Sequence, residues 1–159
     1  MLKQGFLLAV VVLCTACVSQ ANHTDKIEQW LDKPAHVQAQ AIASGDTTSA
    51  ELVSGYLARI ERLDEKVNSV LALNPNALTE AKAIDKRLAN GETLGPLAGI
   101  PVLLKDNIES KEMPTTAGSM ALITNDTGRD APIVEKLKAA GAIILGKTNL
   151  SEWANFRSE

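Results

Sequence analysis

The apolar positions of this chain switch several times between helical spacing and short unbroken runs. Asp25 to Leu31 and Ala35 to Ser44 predict two short helices, the first ended by Pro34 and the second by Gly45. Thr48-Ser49-Ala50-Glu51 is a capping box, because the Thr48 hydroxyl and the Glu51 carboxylate can each take one of the other's free N–H groups. Behind it Leu52, Tyr56, Leu57, Ile60 and Leu63 share one helix face, with Arg59 and Arg62 toward the negative end. Ser69 to Leu73 predicts a strand broken at Asn74-Pro75. Ala77, Ala81, Ile84 and Leu88 mark another amphipathic helix, closed by Asn90-Gly91.

Farther along, Gly95-Pro96 and Gly99 punctuate the approach to Val102-Leu103-Leu104, a short buried strand that Pro101 can start. Lys111 to Pro114 is polar and loop-like. Thr115 to Ser119 combines small residues with a glycine, which permits close backbone approach and reads as a turn. Asp130 is placed to cap a helix with Pro132 in its first turn and Ile133, Val134, Leu137 and Ala140 on its core face. Gly141 stops it, and Ala142 to Leu145 is a continuous apolar strand of the kind buried between helix layers. Strand, helix, strand in this order predicts a parallel pair with a right-handed crossover, hence an α/β fold. Lys147 and Asn149 fall just past the second strand's carboxyl end, where open sheets tend to place sites. On its own, Lys147 reads as a structural cation.

Composition narrows the function classes. With 45% hydrophobic and 22% charged residues among 159, the chain is neither disordered nor too short for a core. The net charge of −3, the lack of a basic run and the scarcity of aromatics argue against a nucleic-acid partner. His23 and His36 are isolated, so no zinc ligand set and no cofactor motif is evident. The Cys14-x-x-Cys17 pair could suggest redox or metal chemistry, but both cysteines lie in a segment of another kind.

That segment is a targeting signal. Lys3 precedes an unbroken apolar run from Phe6 to Leu13, too short to span a membrane. Thr15-Ala16-Cys17 resembles a bacterial lipoprotein processing site, at which Cys17 would be lipidated and become the first residue. The alternative is ordinary cleavage after Ser19-Gln20-Ala21. Either route predicts export, to the periplasm or a membrane-anchored location, or secretion, with membrane contact only through a lipid at Cys17. The chain divides into a signal and start of tether at 1–21, a linker with short helices at 22–47, and a domain at 48–159.

Lys105 follows directly on three apolar residues. A lysine there must reach out to water, find a partner or lose its proton, since desolvation disfavours the ammonium. Only a neutral amine can accept a proton, which is what a catalytic lysine needs.

Gly99-Ile100-Pro101-Val102 with Lys105-Asp106-Asn107-Ile108 resembles the first block of the amidase signature family, as does Thr115-Thr116-Ala117-Gly118-Ser119. Asp130-Ala131, Ala139-Ala140-Gly141-Ala142 and Leu145-Gly146-Lys147-Thr148-Asn149-Leu150 follow in that family's order, and Ser151-Glu152-Trp153-Ala154-Asn155-Phe156 leans toward its peptide amidase branch. The resemblance runs from about Thr48 to the end of the sequence. It implies the N-terminal part of the amidase signature fold, helices around a mixed β-sheet, and amide hydrolysis without metal or cofactor.

By the same resemblance Lys105 is the catalytic lysine, working with a bridging serine and a nucleophilic serine from a later glycine- and serine-rich stretch. No serine of this sequence lies in such a context. The expectation is therefore a fragment without the catalytic serines, inactive alone, whose complete form hydrolyses small-molecule or peptide amides. Two alternatives share these blocks: the A-type component of a glutamyl-tRNA amidotransferase, against which the export signal argues, and a truncated non-catalytic module.

Overall fold

Why the chain folds as it does is seen first at its helix ends, and residues 27–154 are described by a computed structural model. Residues 27–31 are helical. Helix α1 (Ala35–Ser44) closes at Gly45, as its sequence requires. Helix α2 (Ser49–Val67) opens with both bonds of the Thr48/Glu51 capping box. Its first N–H groups at Ser49 and Ala50 also donate to the Asp85 carboxylate, at 2.8 and 2.9 Å. Asp85 belongs to helix α3 (Ala77–Ala89), so an acid on one helix neutralises the positive end of the other.

Strand β1 (Val70–Leu73) precedes α3, and strand β2 (Pro101–Lys105) follows it. Helix α4 (Pro132–Ala139) then leads to strand β3 (Ile143–Thr148). The sheet order is β1-β3-β2, with β1 antiparallel and β2 parallel to the central strand. The sheet is mixed, as expected, and the last strand in sequence is the middle one in space.

Successive β3 side chains serve opposite faces. Ile143 and Leu145 pack with Val53, Ala77 and Ala81 under α2 and α3. Ile144 packs with Leu104, Met113 and Val134 under α4. The short helices expected before residue 48 join a third cluster, where Leu31 and Ile42 meet Leu52 and Ile100. The buried Gln38 amide bonds the Tyr56 hydroxyl at 2.7 Å, stitching α1 to α2.

Several expectations are corrected. Leu63 and Ile133, expected on core faces, are exposed, whereas Leu52 and Val134 are fully buried as expected and Val53, outside the expected face, is fully buried too. Asp130 does not cap α4. The N-cap is Ala131, without a side-chain bond, and the Asp130 carboxylate instead accepts from Lys111 N at 3.0 Å and Lys138 Nζ at 2.7 Å. The loop after β2 is not merely polar, since Met113 is buried within it. Finally, β3 runs past Leu145 through Gly146 and Lys147. Lys147 thus lies within the strand, not beyond it.

The backbone before β2 is set by close approach. Gly99 N donates to Gly141 O at 2.9 Å, and Ser49 Oγ donates to Gly99 O at 2.8 Å. A side chain on Gly141 (φ 93°) would meet Ala98 Cα at 2.8 Å. Glycine is required there by both conformation and space.

Candidate functional site

Residue alternation sorts the end of β2. Leu104 turns inward to Met113, Val134 and Ile144, so Lys105 turns to the other face and is exposed. Of the options open to a lysine after an apolar run, Lys105 reaches out to water among the described residues. It shares its face with Leu103, which flanks Gly146 together with Leu73. Leu71, Leu73 and Leu103 are 46%, 42% and 38% exposed, so this side of the sheet carries an open apolar surface beside Lys105.

The next residue goes the opposite way. Asp106 is buried, and its Oδ1 lies 3.2 Å from Lys147 Nζ. Lys147 is fully buried and donates further to Ile108 O at 2.8 Å and Thr115 Oγ1 at 2.9 Å. Burial pulls the Lys147 amine below the usual lysine range, against the opposing pull of the Asp106 hydrogen bond and charge. Asp106 Oδ2 accepts from Thr116 N at 3.1 Å and from the Thr116 hydroxyl. Its backbone is also engaged, with N donating to Thr148 O at 3.1 Å and O accepting from Ala117 N at 3.0 Å.

The 115–119 turn therefore stands on Asp106. Ala117 and Gly118 take positive φ, 49° and 70°. A side chain on Gly118 would come within 2.8 Å of Leu150 O, so the turn lies directly against the segment after β3. Two bonds fasten that contact: Ser119 Oγ to Glu152 Oε1 at 2.6 Å, and Trp153 N to Ala117 O at 2.8 Å. Trp153 and Ala154 also sit at positive φ, 57° and 54°. Strained backbone of this kind persists where the surroundings over-determine it.

The buried serines are committed elsewhere. Ser49 Oγ bonds Gly99 O, Ser110 Oγ bonds Glu112 Oε2 at 2.6 Å, and Ser119 bonds Glu152. None of them is brought to Lys105. Cys17, the expected lipidation site, lies outside the described residues. The sequence reading passed over Asp106, Thr115, Thr116 and Glu152. One signal for the first was present: Lys105-Asp106 and Lys147 each end an apolar run on strands expected to be neighbours.

This arrangement has relatives. The sequence profile of the amidase family matches residues 51–159. The chain belongs to the amidase family. Among solved amidases, the peptide amidase of Stenotrophomonas maltophilia superposes with a TM-score of 0.74 at 44% identity, over 80% of this chain and 27% of that one. An amidase family protein of Bacillus anthracis gives a TM-score of 0.78 at 39% identity, over 87% and 28%. Among curated sequences, the A-type component of the Thermobifida fusca glutamyl-tRNA(Gln) amidotransferase is 48% identical over 115 residues, 72% of this chain and 23% of that protein. The chain spans about a fifth to a quarter of the length of the curated relatives it matches. Helices around a mixed sheet are the N-terminal architecture of this amidase fold.

Proposed function

We propose that the chain supplies the lysine of an amide hydrolase that works through two serines and a lysine, acting on small-molecule amides or C-terminal peptide amides. The observation that carries this reading is the placement of Lys105. It ends β2 on an open face, one residue from the buried Asp106 that holds the 115–119 turn. In the proposed step the nucleophilic serine oxygen attacks the amide carbon and gives its proton to the bridging serine, which passes its own to Lys105. The proton returns by the same route to the departing nitrogen, and water then releases the acyl group from the serine. On this reading neither serine is among residues 1–159, and the chain covers 27% of the peptide amidase. Support for a peptide-like substrate comes from a peptide amidase neighbour solved with the competitive inhibitor chymostatin.

A lysine in this role must be covered by other parts of the complete enzyme, since only the neutral amine accepts a proton. The open face around Leu103 and Leu73 is where such covering would sit. The test is ammonia release from a C-terminal peptide amide by the complete protein and by Lys105→Ala. Full activity in the variant would overturn the reading.

A second reading has one specific observation behind it: several curated relatives, at 43% to 48% identity, are A-type components of glutamyl-tRNA amidotransferases. The same assay separates the two. Turnover of a peptide amide by the protein alone favours the hydrolase; turnover only with partner proteins and charged tRNA favours the amidotransferase. Export, by lipid attachment at Cys17 or cleavage after Ala21, is part of the first reading and foreign to the second.

A further inference from the structure

We propose that Asp106 and Lys147 form a positioning unit that sets Lys105 and the 115–119 turn relative to each other. The inference rests on the reading of Lys105 given above. Asp106 is held at four points: its N–H on Thr148, its carbonyl on Ala117, one carboxylate oxygen on Thr116 and the other on Lys147. Lys147 in turn grips Ile108 O and Thr115 Oγ1. Three separate segments, 104–108, 115–117 and 147–148, therefore meet on two side chains that water does not reach.

A buried ion pair is a poor way to add stability, because apolar residues of equal volume do as well or better. What it adds is direction. Hydrogen bonds to both oxygens of one carboxylate admit a single arrangement, where apolar contact would accept several. Lys105 is one peptide unit from Asp106, so its Cα lies about 3.8 Å from a fully constrained residue. Its side chain projects from there onto the open face, and the root alone decides where the amine can reach. The turn carrying Ala117 and Gly118 is fixed from the same atom group. The pair thus couples the lysine to the wall beside it.

The test compares Lys147→Met and Thr115→Val with Lys105→Ala in the complete, active protein. Lys138→Met serves as control, because it breaks two different ion pairs on the α4 side. Misplacement of a reacting group by about 1 Å lowers turnover about a hundredfold. Lys147→Met is accordingly expected to lower kcat by about thirty- to a hundredfold, and Thr115→Val by about three- to tenfold, with KM within about twofold. Lys138→Met should lower the melting temperature and leave kcat unchanged. Amide hydrogen exchange supplies a second readout independent of turnover: in Lys147→Met, protection should fall together at 105–108 and 115–119 and persist at Ile143–Leu145.

Wild-type kcat and wild-type exchange in folded Lys147→Met would overturn the proposal. If that variant does not fold, Thr115→Val, which keeps the charge pair, decides by the same two measurements. Turnover that survives Lys105→Ala would remove the reading of Lys105 instead, and exchange alone would then decide whether the pair couples the two segments.

Discussion

Asp106, in the turn just after β2, and Lys147, on the parallel neighbour β3, face each other at 3.2 Å with side chains 2% and 0% exposed. Removing one partner leaves the other charge buried without its counterion, and breaking such a pair is costly where replacing both is not. Asp106→Ala is therefore expected to lower the unfolding free energy by about 3–5 kcal/mol. Asp106→Ala combined with Lys147→Met should lose less than the two singles added together. Urea denaturation of the four proteins checks this, and strict additivity would show that the charges do not interact.

The reading of Lys105 makes a sharp prediction in the complete enzyme. Lys105→Ala should lower kcat by about a hundredfold to ten-thousandfold, the usual range for loss of a positioned proton acceptor. Lys105→Arg should be nearly as impaired, since a guanidinium stays protonated at any working pH. Both variants should fold, because Lys105 is exposed and supports no packing among the described residues. A near-normal Lys105→Arg enzyme would reduce Lys105 to a surface cation.

A second cluster should contribute to the acid dependence of stability. Lys138 Nζ lies 2.7 Å from both Glu112 Oε1 and Asp130 Oδ2, tying the loop after β2 to α4. Burial pushes both carboxyls up, but hydrogen bonds from Lys138, joined by Ser110 at Glu112 and Lys111 N at Asp130, outweigh it and hold them below the usual carboxylate range. Carboxyls depressed in the folded state contribute stability that is full above their unfolded values, about 4, and is lost as pH falls through the folded values. Stability should thus decline below about pH 4. Lys138→Met should flatten that decline and lower neutral-pH stability by about 2 kcal/mol. Melting curves from pH 3 to 7 measure both effects, and an unchanged acid limb in the variant would show the cluster to be uninvolved.

The export reading is checked at the N-terminus of the protein isolated from cells. Mass spectrometry of the first residue should find acylated Cys17, or a free Asn22 if ordinary cleavage operates. An intact Met1 in the cytoplasm would exclude both and strengthen the amidotransferase reading.

Much of this fold can be read from local chemistry. The Thr48/Glu51 box, the stop of α1 before Gly45 and the strand over Val102–Leu104 are decided within a few residues, and the structure keeps them, although of that strand only Leu104 is buried as expected. The misreadings arise where a distant partner intervenes. Asp130 looks like a cap until Lys138 and Lys111 N claim its carboxylate. Ile133 reads as core beside Val134, but only Val134 is buried there and Ile133 is exposed. Lys147 looks like the end of a strand because a charge inside an apolar run contradicts its neighbours. The carboxylate that resolves the contradiction lies 41 residues earlier. The role proposed for Lys105 is legible only through the family pattern, since in sequence just the three apolar residues before it set it apart from an ordinary lysine.

The placement of β3 at the centre of the sheet has a consequence for how the chain is made. β1 and β2 touch only through β3, which is the last of the three to be synthesised. The α2–α3 pair can dock as soon as residue 89 has emerged, but no strand finds a neighbour until Ile143–Thr148 follows. Asn74, whose amide bonds Ile144 O across 70 residues, waits as long. Two strands with bare edges are thus carried until α4 has been made, the state in which chains pair wrongly. When β3 arrives it joins β1 to β2 and forms the Asp106–Lys147 contact in one event.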